Sequence, residues 1–149
     1  MKRIAFALFW ISILTYGCSV YRFNKEVIYT ENAPKPIGPY SQAVKIGKFI
    51  FVSGQIGIEP KSGKIAEDVE TQFIQAMENI QNILSSANSN LSKVVKVTIF
   101  LKDLKDFEKI NRLYETYFTG EYPARETVEV SRLPKDAKVE ISVIAFSKK

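Results

Sequence analysis

The sequence predicts an α+β domain in which one sheet carries two helices on a single face. Three observations carry this expectation: apolar residues alternate at period two early and late in the chain, the period changes twice to three-and-four spacing, and the resulting order is β-β-β-α-β-α-β-β. A length of 149 residues, 46% hydrophobic and 25% charged, fits one globular core.

The first segment stands apart from that pattern. Lys2 and Arg3 precede a nearly continuous apolar run over residues 4–15, then Tyr16-Gly17-Cys18, in the order of a basic n-region, an h-region and a small residue before a cleavage point. About a dozen apolar residues fall short of the roughly 20 that span a bilayer as a helix. Residues 1–18 therefore resemble a secretory leader, and Gly17-Cys18 resembles a lipoprotein signal with Cys18 as the lipidation candidate, although Thr15 stands where such signals usually carry Leu. A buried N-terminal helix or an interfacial anchor is the alternative. Residues 19–25 read as a tether and residues 26–149 as the folded body. The expectation is an exported or membrane-anchored protein, against a cytoplasmic one.

In the body, residues 27–30 read as a short strand, and Pro34, Pro36 and Pro39 exclude helix from the segment that follows. Residues 43–46 and 49–53 read as a hairpin closed at Gly47-Lys48, and Pro60-Lys61-Ser62-Gly63 as a turn. Val69, Phe73, Ala76, Ile80, Ile83, Leu84 and Ala87 predict a helix over about residues 68–87 with Asp68 as its N-cap. Residues 94–101 form a strand, and Asp106, Phe107, Ile110, Leu113, Tyr114, Tyr117 and Phe118 a second amphipathic helix. Residues 126–130 and 139–146 close the chain as strands. In residues 94–101, Val95, Val97, Ile99 and Leu101 are expected on one face, with Val94, Thr98 and Phe100 leaving the other substantially apolar. Two helices cover only one side, so a homo-oligomer is expected to bury the second.

Composition narrows the chemistry. The chain has no histidine and one cysteine, Cys18 in the leader, which excludes Ser-His-Asp and Cys-His catalysis, His-containing zinc sites and a disulfide framework. No metal or cofactor is expected. The formal charge of +5 falls to +3 without Lys2 and Arg3, leaving 19 basic against 16 acidic residues, too weak and dispersed a surplus for nucleic acid.

Two charged residues stand out. Arg125 follows Pro123-Ala124 at the entrance to a predicted strand and offers a planar fork for a carboxylate, with a surface ion pair as the bland alternative. Glu140 is the only charged group in an apolar strand and alternates away from Val139, Ile141 and Val143. It is the best general acid/base candidate, and a strand-edge carboxylate paired across the sheet explains it equally.

Four segments then occur in order: Pro36-Ile37-Gly38-Pro39-Tyr40-Ser41-Gln42-Ala43, Phe51-Val52-Ser53-Gly54-Gln55-Ile56, Tyr122-Pro123-Ala124-Arg125, and Val130-Ser131-Arg132-Leu133-Pro134-Lys135-Asp136-Ala137-Lys138-Val139-Glu140-Ile141. Together they resemble the reactive intermediate deaminase (Rid/YjgF) family over essentially the whole body. The resemblance implies a chorismate-mutase-like fold, a homotrimer with pockets between subunits, and hydrolysis of 2-imino or enamine acids of the 2-aminoacrylate or 2-iminobutanoate type to 2-keto acids and ammonia. It further implies that Arg125 holds the substrate carboxylate, that Glu140 positions or protonates at the reacting centre, and that Tyr40 lines the same pocket. Ser53, Gly54, Asn111 and Thr127 are carried over as substrate-binding positions. Glu126 departs from the small residue common after the Arg, and strand alternation turns it away from the pocket. A noncatalytic small-acid-binding or chaperone-like trimer and an RNA-directed translation inhibitor are the competing readings.

Overall fold

The structure is a computed structural model that describes residues 24–147. The leader, Cys18 and residues 19–23 of the tether lie outside those residues; Lys25, assigned to the tether on sequence, instead opens the first strand.

The elements follow the expected order: β1 (Lys25–Ile28), β2 (Ala43–Ile46), β3 (Phe49–Ile56), α1 (Val69–Ser86), β4 (Val94–Leu101), α2 (Phe107–Tyr117), β5 (Ala124–Glu129) and β6 (Val139–Phe146). They make one six-stranded sheet in the order β1-β2-β3-β6-β4-β5. β4 and β5 run parallel, as the α2 crossover between them requires, and every other neighbouring pair is antiparallel. β6 arrives last and fills the slot between β3 and β4, so the final strand is also a central one. The architecture is the α+β fold that the period pattern predicts.

α1 starts where Asp68 Oδ1 accepts the Thr71 N–H at 2.7 Å. It ends in a Schellman turn: Asn88 takes a left-handed φ of 56°, and the N–H groups of Asn88 and Ser89 reach Ser85 O and Leu84 O at 3.1 and 2.8 Å. Phe73, Ala76, Met77, Ile80, Ile83 and Leu84 are fully buried against the sheet, each of the large ones contributing on the order of 1.5–3 kcal/mol. α1 also lies tight against the end of β3. A Cβ at Gly57 would overlap Gln72 Cα, and buried Asn79 donates to Ile56 O and Ile58 O at 3.3 and 3.0 Å.

The first strand falls at Lys25–Ile28 and not at residues 27–30 as expected, and two expectations within later strands also change. In β4 the register against β6 shifts between Val94 and Lys96; this bulge turns Val94 into the core (8% exposed) and Val95 out (39%), reversing their expected faces, while Val97, Ile99 and Leu101 stay buried as expected. β3 continues past Ser53 to Ile56 because a second irregularity, between Val52 and Gln55, absorbs Ser53-Gly54 without ending the strand.

The face opposite the helices is open. Phe49 packs on Phe146 with ring centroids 4.7 Å apart, Phe51 lies opposite Ile144 and Val44, and Phe100 lies opposite Val128. Phe49 and Phe51 are each 44% exposed.

Candidate functional site

Register and alternation decide where each predicted residue points. On the helix side of the sheet, Ile28, Ala43, Val52, Val143 and Val97 form one row, and all five are buried. Arg125 continues that row, because β5 pairs it with Val97. It lies inside β5, whose pairing with β4 already begins at Ala124, not at the strand's entrance as expected. Its guanidinium therefore meets α2. The Arg125 Cζ lies 4.6 Å from the Tyr114 ring centroid and 5.8 Å from that of Phe107. Arg125, Asn111, Tyr114, Glu115, Tyr122 and Pro123 line a recess of about 430 Å³. Thr127, two residues on, turns to the same side opposite Ile99; its buried hydroxyl, like that of Tyr114, has no hydrogen-bond partner. Burial pushes the Tyr114 hydroxyl up to about 12, against a smaller lowering by Arg125.

Glu140 lies on the other face. β6 pairs it with Ile56 on one side and Phe100 on the other, among the residues of the open face. Glu140 and Tyr40 share a cavity of about 420 Å³ with Ser53, Gly54 and the apolar walls Ile37, Ile56, Ile58 and Pro134. The Ser53-Gly54 irregularity in β3 makes room for its carboxyl. A Cβ at Gly54 would overlap Glu140 Oε1 and lie 2.7 Å from Cδ, so only glycine admits the side chain in this position. Half-buried, Glu140 has its pKa raised by desolvation alone. It makes no side-chain hydrogen bond or ion pair among the described residues, so the sequence alternative of a cross-sheet salt bridge is not what holds it.

The rim of this cavity is fixed by Gln42, which sequence reasoning quoted only as part of a motif. Its buried amide accepts from Thr30 N at 2.7 Å and donates to the carbonyls of Thr30, Ala33 and Pro34 at 3.0, 3.2 and 2.9 Å, pinning the Pro-rich segment. Ser53 donates its hydroxyl to Ser41 O at 2.7 Å. Tyr40 is exposed, and its hydroxyl accepts the Ile37 N–H at 3.2 Å. On the opposite rim, Lys135 and Asp136 take left-handed φ values of 56° and 54°, with Asp136 bound by Arg132 at 2.7 and 3.1 Å.

The predicted site residues thus form two groups. Tyr40, Ser53, Gly54 and Glu140 meet in one cavity; Arg125 and Asn111 meet in another, with Thr127 beside them. Within one protomer Tyr40 and Glu140 do not share a pocket with Arg125, because the parallel β4/β5 pairing puts Arg125 on the helix side of the sheet; the resemblance implied a pocket between subunits, not one within a protomer. Sequence reasoning also missed Phe107 and Tyr114 as the neighbours of Arg125, assigning both to an apolar stripe; their spacing with Asn111, four then three, was the available signal. Glu126 does face away from Arg125. Its carboxylate accepts from Thr98 at 2.7 Å and pairs with Lys96 at 3.2 Å, which hold its pKa below the usual range.

The comparisons with known proteins follow the same boundaries. The family model described as Endoribonuclease L-PSP matches residues 30–147. A RutC family protein of Pyrococcus horikoshii is 56% identical over 123 residues, covering 82% of this chain and 98% of that protein. The 2-iminobutanoate/2-iminopropanoate deaminase of Salmonella typhimurium is 49% identical over 123 residues, 80% of this chain and 96% of that one. Among solved structures, the conserved Rid-family protein YyfA of Yersinia pestis superposes with a TM-score of 0.81 at 47% identity, covering 83% of this chain and 99% of that chain. With a family model matching residues 30–147 and relatives of this identity and fold, the chain belongs to the Endoribonuclease L-PSP family, that of the Rid/YjgF proteins.

Proposed function

We propose that the protein hydrolyses reactive 2-imino or enamine acids to 2-keto acids and ammonia, in sites that join the Arg125 recess of one copy to the Glu140 cavity of the next in a homotrimer. The observation that carries this reading is the presence, on opposite faces of one sheet, of an Arg without an anionic partner among the described residues and a half-buried carboxyl whose pKa is raised by desolvation. Each is a working group, and one protomer cannot bring both to a small substrate. The apolar open face beside Glu140 supplies the surface along which copies would meet. The deaminase name of the Salmonella relative supports the substrate class.

In this mechanism Arg125 binds the substrate carboxylate through its fork. Water's oxygen bonds to the imine carbon as a proton passes to the imine nitrogen, giving a carbinolamine. The C–N bond then breaks, ammonia leaves with a second proton, and the carbonyl forms. Glu140 guides the water and carries these protons, for which a raised pKa suits it. The protein, given freshly generated 2-iminobutanoate, should release ammonia and 2-oxobutanoate, and the Arg125→Ala variant should lose that activity. A well-folded oligomer that releases neither product would favour the noncatalytic acid-binding reading.

The family description also names an RNA-cleaving activity, which charge does not favour. Of the 21 basic residues, Lys2, Arg3, Arg22 and Lys25 precede residues 26–149, leaving 17 basic against 16 acidic. A surplus of one charge falls far short of the cationic excess that phosphate binding uses.

For localisation we propose export through residues 1–18 with lipid attachment at Cys18. Support comes from the basic, apolar and Gly-Cys order of residues 1–18. Intact mass from the native source should show cleavage before Cys18 and an added lipid. An N-terminus at Met1, or a cytosolic product starting near Lys25, would overturn it.

A further inference from the structure

Arg125 is held in an unusual way. None of the ion pairs among the described residues involves it, and its guanidinium donates no hydrogen bond to a protein acceptor there. A carboxylate neighbour would fix the side chain but would also occupy the N–H groups and neutralise the charge that a substrate acid needs. Aromatic faces attract a guanidinium without taking its donors, and both rings of α2 lie within the roughly 6 Å over which that attraction acts. Tyr114 is 4% exposed and its hydroxyl bonds to nothing, so what it offers Arg125 is its ring. Phe107 and Tyr114 stand on one stripe of α2 on either side of Asn111, which shares the Arg125 recess with Tyr114.

We propose that Phe107 and Tyr114 are positioning residues that seat the Arg125 guanidinium with its N–H groups uncommitted, so that they set affinity for the substrate carboxylate and leave the rate of C=N hydration largely unchanged. The inference rests on the imine-hydrolysis reading for its substrate, but its test also has a readout without turnover. Wild-type protein and the Tyr114→Leu, Tyr114→Phe and Phe107→Leu variants would be titrated calorimetrically with 2-oxobutanoate, and KM and kcat measured with 2-iminobutanoate.

Tyr114→Leu should weaken 2-oxobutanoate binding and raise KM about tenfold with kcat within about twofold, the size expected of a desolvated cation–π contact. Tyr114→Phe, which keeps the ring, should bind within about twofold of wild type, and Phe107→Leu, at the longer distance, should lose about threefold. Phe107 is partly exposed, so its variant decides the matter if Tyr114→Leu does not fold. Leu variants that bind as wild type does, or that lose kcat at unchanged KM, overturn the proposal. If the same order of affinities appears in a protein that turns over no imine, the seat stands and the deaminase reading falls. A wild-type protein that neither binds 2-oxobutanoate nor turns over overturns both.

Discussion

Arg125→Ala and Glu140→Gln chains refolded together should regain about a quarter of wild-type activity per site, although each variant alone is close to inactive. The expectation follows from the two faces of the sheet. Arg125 continues the buried row that ends at Val97, and Glu140 sits among the residues of the open face beside Phe100. If each site takes Arg125 from one copy and Glu140 from its neighbour, half the arginines and half the glutamates are intact in an equal random mixture. Their product is the fraction of complete sites, and it does not depend on how many copies close the ring. The same two variants mixed without unfolding, so that subunits do not exchange, provide the baseline. Recovery no greater than the mean of the two variants would show that both groups act from one protomer, or that only one acts at all. Light scattering on the same samples reports whether the mixed oligomer matches the wild type in mass.

Much of this was legible in the sequence, and the reasons are local. β6 shows the two-residue alternation of a buried central strand, which isolates Glu140 on one side of it before any coordinates exist. α1 carries its own start in Asp68, whereas its stop at Asn88 was not read from the sequence. The two strand irregularities were not legible. Whether Val94 or Val95 enters the core depends on a bulge against β6, a strand more than 40 residues away in sequence, and no local pattern encodes that register. The resemblance gives Gly54 only as a substrate-binding position; in the fold its missing Cβ makes room for the Glu140 carboxyl. The face of Arg125 was hidden for a similar reason. It is set by parallel pairing of β5 with β4 across the α2 crossover, so motif order could bring Arg125 and Glu140 together on paper while the sheet separates them within a protomer.

Glu140→Gln should lower turnover by roughly 10²–10⁴-fold, the usual range for a positioned acid/base group, while leaving the fold as stable as the wild type or more so at neutral pH. The two effects have one cause. Desolvation beside Gly54 raises the Glu140 pKa above its ordinary value of 4.5. The folded protein therefore holds this proton more tightly than the unfolded chain does. Stability is highest below the unfolded-state value and falls as pH rises through the folded one, where burying the anion opposes folding. Glutamine keeps the shape and removes the charge, so that part of the pH dependence should disappear, and the wild-type and variant melting temperatures should converge only at acid pH. The pH profile of kcat/KM should lose the limb that Glu140 contributes. A carboxylate kept for the fold alone would behave in the opposite way, with Glu140→Gln lowering the melting temperature and sparing turnover. Activity within a few-fold of wild type, measured on a variant that still assembles, would remove Glu140 from the chemistry.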